Sequence, residues 1–455
     1  MLLVLFSCRK TTFTTDPSAR LTTSIDTVQF DTVFVATGSV TQGFKIFNPN
    51  AQGIRISSIR LAGGPASPFR INADGTPGPQ VSDLSIAAND SVYVFVTVSI
   101  NPTAANQPFV VRDSVEIIYN DHTNKVQLQA YGRNARFLKG HIVTDHETWN
   151  NDLPYVVLDS LRIQAGARLT IGKGTTVYVH ANAPFIVDGS LTVQGEKWDS
   201  TKVTFTGSRL DAPYRDYPAS WPGLTFTASS RNNAIHYGVL KNAHQAIVLH
   251  ETTATDVVLH LSETIIDNAF ETGIQANNSS LTAQNVVVSN CGKNVVLAKG
   301  GHYRFTHCTL VGFSNGYIQH KEPVLQVSNF VSRNNAITSS PLAAVFQNCI
   351  FWGEEGGMVA NEVQVAKEGN AAFQLTFDHV LWRVQQEPAA ATIHNAINHQ
   401  SPEFEMVDPA PKIFSFRLQE SSPAIDKGSH SSVTLDIEGN PRPVGLPDLG
   451  AYEKQ

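Results

Sequence analysis

The octets FTHCTLVG (305–312) and FQNCIFWG (346–353) repeat one pattern of apolar, polar and small residues, 41 positions apart. They are the ends of a disulfide, the halves of a metal site or copies of a repeat, and the choice decides the fold. Aligned on the leading apolar residue, IHYGVLKN (235–242), LSETIIDN (261–268), AQNVVVSN (283–290) and VSNFVSRN (327–334) fall in register with them. The successive steps are 26, 22, 22, 22 and 19 residues, and FDHVLWRV (377–384) makes a seventh copy. A period near 22 built from short strands marks a solenoid, each copy a rung about 4.8 Å above the last.

The columns of this alignment carry physical expectations. The fourth reads Gly238, Thr264, Val286, Cys308, Phe330, Cys349, Val380 and is mostly small or apolar, which suits an interior stack. It places Cys308 and Cys349 two rungs and about 10 Å apart, beyond the roughly 7 Å Cα limit of a disulfide. Cys291 falls in another column, so the cysteines read as core fillers. The eighth column, Asn242, Asn268, Asn290, Gly312, Asn334, Gly353, holds residues that tolerate positive φ and predicts a repeated left-handed corner. Stacked asparagine amides there can satisfy one another. The polar column Glu263, Asn285, His307, Asn329, Asn348, His379 predicts a second bend. The fifth column, Val239, Ile265, Val287, Thr309, Val331, Ile350, Leu381, points outward yet is apolar. A solvated stripe of that length is unusual, so the last 50 residues or another protein should cover it.

Upstream, LRIQAGARLTIGKGTTVYV (161–179) and FIVDGSLTVQGEKWDSTKVTF (185–205) are two versions of one phrase, and WPGLTFTASSRNNAIHY is a third. Together these features resemble right-handed parallel β-helix proteins over residues 137–405. That resemblance implies a fold and no particular reaction, since such helices host lyases, hydrolases and adhesins alike.

Residues 29–136 show short alternating strands between Gly, Pro and Asn turns, among them VQFDTVFVAT, GFKIFNPN, IRISSIRLAGG, SVYVFVTVSI and KVQLQAYG. This spacing predicts an Ig-like sandwich. FKIFNPN, SPFRI and DSVYVFVTV resemble Ig-like domains of the ASPM/SPD-2/Hydin type. The expected class is therefore all-β: an Ig-like β-sandwich followed by a right-handed parallel β-helix.

Both termini resemble those of exported proteins. Residues 1–8, MLLVLFSC, are too short to span a bilayer and resemble the end of a bacterial lipoprotein signal, which implies lipid on Cys8. No basic region precedes the run, so either the start lies upstream of Met1 or the resemblance is chance. Residues 9–28 are polar and Thr-rich, as a tether would be. In 406–455, Ser422 to Gly428, Asp436, Gly439 to Arg442 and Asp448 to Glu453 resemble the closing segment of surface β-helix proteins of the choice-of-anchor type. The implied setting is the outer membrane or cell surface, with the lipid as the contact to the membrane. On physical grounds, a Pro- and Gly-rich segment with Ile425 and Leu449 buried could cap the open end of a solenoid, with Arg442 paired to Asp426, Asp436 or Asp448.

Chemistry is sparse. With 16% charged residues and a net charge of −6, no basic face for nucleic acid is expected. There is no phosphate loop, CxxC or Ser/His/Asp spacing, and no cofactor or metal is expected. Glu263 and Asp267 share a rung but lie across a bend, and read as solvated carboxylates. His141 and His146, beside Asp145 and Glu147, are a weak metal pattern. His302 in GGHYRF reads as part of a glycine turn. The insertion GSRLDAPYRDYPASW (207–221) is the best candidate for binding. Its Arg209, Asp211, Tyr214, Arg215, Asp216, Tyr217 and Trp221 combine aromatic faces with charged ends, as a sugar site requires, and long loops on rigid scaffolds tend to carry function. The competing reading is that Trp221 and Tyr217 pack beneath the loop. The expected function is a non-catalytic surface that binds glycan or another surface protein; the alternative is a divergent polysaccharide lyase or glycoside hydrolase.

Overall fold

The computed structural model describes residues 12–34, 40–100, 109–252, 257–333, 336–354, 356–442 and 445–455. Cys8, Asn334 and Glu355 lie outside the described residues. The chain divides into two compact units, the first ending at Ala135 and also taking in Leu210–Ala212, the second formed by Arg136–Arg209 and Pro213–Gln455.

Alternating strands build the first unit. In Ile54–Leu61, the side chains of Ile54, Ile56, Ile59 and Leu61 are buried while Arg55, Ser57 and Arg60 face solvent. One sheet orders Thr22–Thr23, Gln42–Asn48, Asp90–Val98, Phe69–Ala73 and Thr76–Gly78. The other orders Thr27–Phe34, His122–Arg133, Phe109–Tyr119, Ile54–Leu61 and Gln80–Ile86. Phe30 of the second sheet meets Phe69 of the first across the core, centroids 6.0 Å apart. This is the Ig-like sandwich, with Gln80–Ile86 as a strand the sequence pattern did not single out.

The second unit is the right-handed parallel β-helix, whose 23 paired strands lie on three faces. One full rung runs through Ile265–Asp267 (face A), 272–277 (face B) and 279–284 (face C); the next runs through Val287–Ser289, 293–298 and 301–306. On face A the register Val239, Ile265, Val287, Thr309, Ile350, Leu381 is continuous. Ladder pairing ties every inward column to the one above it, so interior side chains stack like on like. Phe305 lies on Phe346 at 4.9 Å and Phe346 on Phe377 at 5.1 Å, each nearly parallel.

The copy at 327–334 is not a rung of this column. Leu325–Ser328 pairs with 295–297 on face B, and Phe330–Arg333 folds back on Ala336–Ser339 as an antiparallel hairpin. The 41-residue interval is a single long rung. Cys308 and Cys349 therefore occupy adjacent rungs, with Ile350 N donating to Cys308 O at 2.9 Å, and Phe330 is not between them. Both are buried free thiols, and burial together with the neighbouring Cys308 pushes the Cys349 thiol up.

The corners also differ from the expectation in one respect. Asn242, Asn268 and Asn290 have φ of 63°, 57° and 52°, but Gly312 and Gly353 are not left-handed. Glycine stands there because a buried pair packs on it. A Cβ at Gly312 would lie 2.2 Å from His320 Nδ1, and one at Gly353 would lie 2.1 Å from Glu362 Oε1. Glu362 is fully buried, 3.0 Å from His320 Nε2, and accepts from Arg383 Nη2 at 2.6 Å. The second bend is more uniform: Glu263, Asn285, His307, Asn348 and His379 all have φ between 45° and 56°.

The outward apolar stripe of face A is covered, as its composition requires. Val287, Ile350 and Leu381 pack with Phe404, Phe416, Leu418, Ala424, Leu449 and Ala451. The C-terminal segment thus lies along the side of the helix rather than across its end, with Leu449 buried and Ile425 partly so. Its latch is the second bend. Asn285 Nδ2 donates to Leu435 O at 2.7 Å, Ser429 N to Asn348 Oδ1 at 2.8 Å, and Ala451 N to Thr309 Oγ1 at 3.0 Å. Arg442 pairs with Glu453 at 3.0 Å, both fully buried, rather than with an aspartate. Its Nη1 is also 2.7 Å from His307 Nδ1. His307 Nε2 lies 3.1 Å from Ser431 Oγ and 3.0 Å from the Asn348 Nδ2 donor, so the ring is enclosed by polar groups of both the bend and the C-terminal segment.

Two outcomes follow from this packing. Gly353→Ala should lower stability by about 1–3 kcal/mol in urea melts, whereas Gly316→Ala, with nothing near its Cβ, should change it little. Burial and the Arg442 charge push His307 down to about 3, far below the roughly 6.5 of an unfolded histidine. The unfolded chain binds that proton first, so stability falls as pH drops from about 6.5 toward 3, by up to about 1.4 kcal/mol per pH unit. His307→Asn, the residue found at the equivalent positions 285 and 348, should flatten that limb of a pH–stability curve.

Candidate functional site

The insertion leaves face A after Val203–Gly207, makes one short 3-10 turn at Tyr214–Asp216, and rejoins the helix at Leu224–Phe226. Its return is tightly held. Ser220 N donates to Asn242 O at 2.9 Å, and a Cβ at Gly207 would meet Ser220 Oγ at 2.3 Å. Trp221 is fully buried against Phe205, and its Nε1 donates to Lys241 O at 2.7 Å. Trp221 therefore supports the loop from inside the core and offers no face to a ligand.

The corner asparagines hold the outer part. Asn242 Nδ2 donates to Arg215 O at 2.8 Å and Asn268 Nδ2 to Asp216 O at 3.2 Å. Above them Arg209 covers the Tyr214 ring at 3.8 Å, and Tyr214 meets Tyr217 at 5.2 Å. Tyr217 meets Tyr317 at 4.8 Å, and Lys412 Nζ stands 3.5 Å from the Tyr317 centroid. The result is a row of three tyrosines with a cation at each end. Tyr214 and Tyr317 are exposed and Tyr217 is half-buried. Arg215 and Asp216 are exposed, 3.5 Å apart, while Asp211 is half-buried on the same loop.

Tyr317 and Lys412 come from distant parts of the chain, and no local pattern marks them. Tyr317 is delivered by the 313–324 loop of the long rung and Lys412 by the C-terminal segment. Beside the row is a cleft of about 150 Å3 lined by Asp216, Asn242, Asp267, Asn268, Asn290 and Lys412. Burial holds the Lys412 ammonium below the usual lysine range. Asn268 Oδ1 is buried with no donor among the described residues, which leaves an acceptor for a hydroxyl or a water at this cleft.

The other sequence candidates separate. Glu263 is buried, 2.9 Å from His236 Nδ1, and accepts from Asn285 Nδ2 at the second bend. Asp267 accepts from Ser289 Oγ at 2.6 Å near the asparagine corner, so the two carboxylates serve different bends. His141 pairs with Glu147 and His146 with Asp145, as two distinct contacts. Gly300 and Gly301 are left-handed, which makes GGHYRF the glycine turn its composition suggests.

No family model and no curated protein matches the chain. Among solved structures it is similar to a family 123 glycoside hydrolase from Clostridium perfringens, at 11% identity over 28% of this chain and 26% of that one, TM-score 0.19. It is similar also to the ASH / PapD-like domain 7 of human CEP192, at 12% identity over 30% of this chain and 96% of that one, TM-score 0.18. A third is the catalytic domain of a GH87 alpha-1,3-glucanase in complex with tetrasaccharides, at 9% identity over 78% of this chain and 86% of that one, TM-score 0.19. The chain spans about a quarter of the length of the first of these hydrolases. Overlaps this slight carry no argument about function.

Proposed function

We propose that this chain is an exported, lipid-anchored surface protein whose β-helix presents a glycan-binding platform. The observation that carries this reading is the row Tyr214, Tyr217, Tyr317 set beside a polar cleft. Aromatic faces accept the CH surfaces of sugar rings, and the flanking Arg209, Lys412, Asp216 and asparagine amides suit their hydroxyls. A rigid solenoid that supports the loop through Trp221 and the Asn242–Asn268 corner keeps the platform preorganised, which favours binding. The Ig-like unit would act as a spacer above the membrane, with Cys8 as the lipidated residue and the choice-of-anchor-like segment consistent with export. The divergent lyase or hydrolase is the competing reading, and a single assay separates the two.

On a glycan array read beside reducing-end and unsaturated-product assays, the full chain should retain particular glycans and release no product. Tyr317→Ala should weaken that retention by about tenfold or more with little change in melting temperature. Product release by the wild type would replace this reading with the enzymatic one. For the anchor, Cys8→Ser should abolish incorporation of labelled fatty acid and move the chain from the membrane to the soluble fraction.

A further inference from the structure

Face C, across the helix from the asparagine corner, carries a second feature. Thr282, Arg304, Val345 and Thr376 stand one above another on successive strands. They line a groove of about 320 Å3 that also includes His302 and Gln374 and has no acidic side chain among the described residues. His260 lies next below Thr282 in the same column, two rungs and about 10 Å from Arg304. His260, His302 and Arg304 are all exposed.

Most arginines of the helix and its C-terminal segment are paired, whereas Arg304, like the exposed Arg168, has no side-chain partner among the described residues. Arg162 is matched to Asp188, Arg383 to Glu362, Arg417 to Glu438 and Arg442 to Glu453. Arg304 makes no side-chain hydrogen bond, ion pair or ring contact among the described residues. Its direction is nonetheless set by a rigid strand. The left-handed Gly300 and Gly301 start the segment, and buried Tyr303 clamps it, its hydroxyl donating to Gly300 O at 2.9 Å and accepting from Ser279 N at 3.2 Å. With Tyr303 and Phe305 directed inward, His302 and Arg304 are directed out.

A forked cationic donor with no partner and no lining carboxylate among the described residues, in a groove edged by two threonines and a glutamine, is matched to an oxyanion carried on a hydroxylated chain. We propose that the face C groove binds an acidic glycan. Arg304 holds a ring carboxylate or sulfate through paired N–H donors, and Thr282, Thr376 and Gln374 bond neighbouring hydroxyls. The rungs run across such a chain, so it meets the same column at successive levels. This site is separate from the tyrosine row and does not depend on it.

The test is calorimetry and affinity electrophoresis of the full chain with four probes: a polyuronate, its methyl-esterified form, a sulfated galactan and dextran. Retention of the polyuronate or the sulfated galactan, with the esterified form and dextran unbound, is expected, and whichever is retained identifies the oxyanion. Arg304→Gln should cut that affinity at least about tenfold, and Arg304→Lys, which keeps the charge and loses the fork, by less. Both variants should melt as the wild type does, since the exposed Arg304 side chain gives up no hydrogen bond or ion pair to a described residue. Tyr317→Ala should leave acidic-glycan binding unchanged, so failure of the tyrosine platform and failure of this groove are distinguishable. Equal binding of charged and esterified chains, an Arg304→Gln variant that binds as the wild type, or Arg304-dependent capture of polyglutamate in preference to any glycan would each overturn the proposal.

Discussion

The hydrogen-bond ladder of this helix does not stop at its corners, and that constraint orders the rest of the molecule. At the second bend, Glu263 N donates to Gln284 O at 3.2 Å, Asn285 N to Thr306 O at 3.1 Å and His307 N to Gln347 O at 2.9 Å. A single left-handed residue turns the chain while its amide bonds the next rung, so every turn is forced into the same shape. Because no rung can slip by one residue without turning its side chains inside out, columns stay pure. Like then stacks on like: Phe305 on Phe346 on Phe377 within, and valine and isoleucine in the outward stripe of face A.

The same corners do two further jobs. Once the ladder has satisfied their main chains, their side chains are free to grip what lies outside. Asn285, His307 and Asn348 hold the C-terminal segment, and Asn242 and Asn268 hold the carbonyls of the insertion. The acidic residues of the C-terminal segment, from Asp426 to Glu453, acquire a physical meaning here. Asp448 accepts from Asp426 N and Lys454 N, Asp436 from Glu438 N and Glu453 N, and Glu453 closes on Arg442. That network fastens the segment over a stripe that water would otherwise reach.

The period was legible because stacking selects by column, and a column leaves its trace at fixed intervals in the chain. It was legible even where one assignment was mistaken. VSNFVSRN has the alternation of a rung, yet its second half pairs with Ala336–Ser339 as a hairpin, and alternation does not say which partner a strand takes. Gly312 and Gly353 illustrate a similar ambiguity. The column predicted a left-handed corner there, but glycine is required by the buried His320 and Glu362 rather than by the backbone. Within the insertion, Tyr214 and Tyr217 were visible as candidates, and Trp221 proved to be the core residue that the packing reading allowed for.

By itself the sequence determined what local chemistry can encode: strands, corners, the interior column of small and apolar residues, and the need for a cover over face A. Only the tertiary structure decided that Cys308 and Cys349 are neighbours, that Arg442 closes on Glu453, and that Tyr317 and Lys412 complete a row begun by Arg209 and Tyr214. The reason is repetition. A ladder repeats its demands every 22 or so residues and so writes them into the chain, whereas each of these contacts occurs once and leaves no periodic mark.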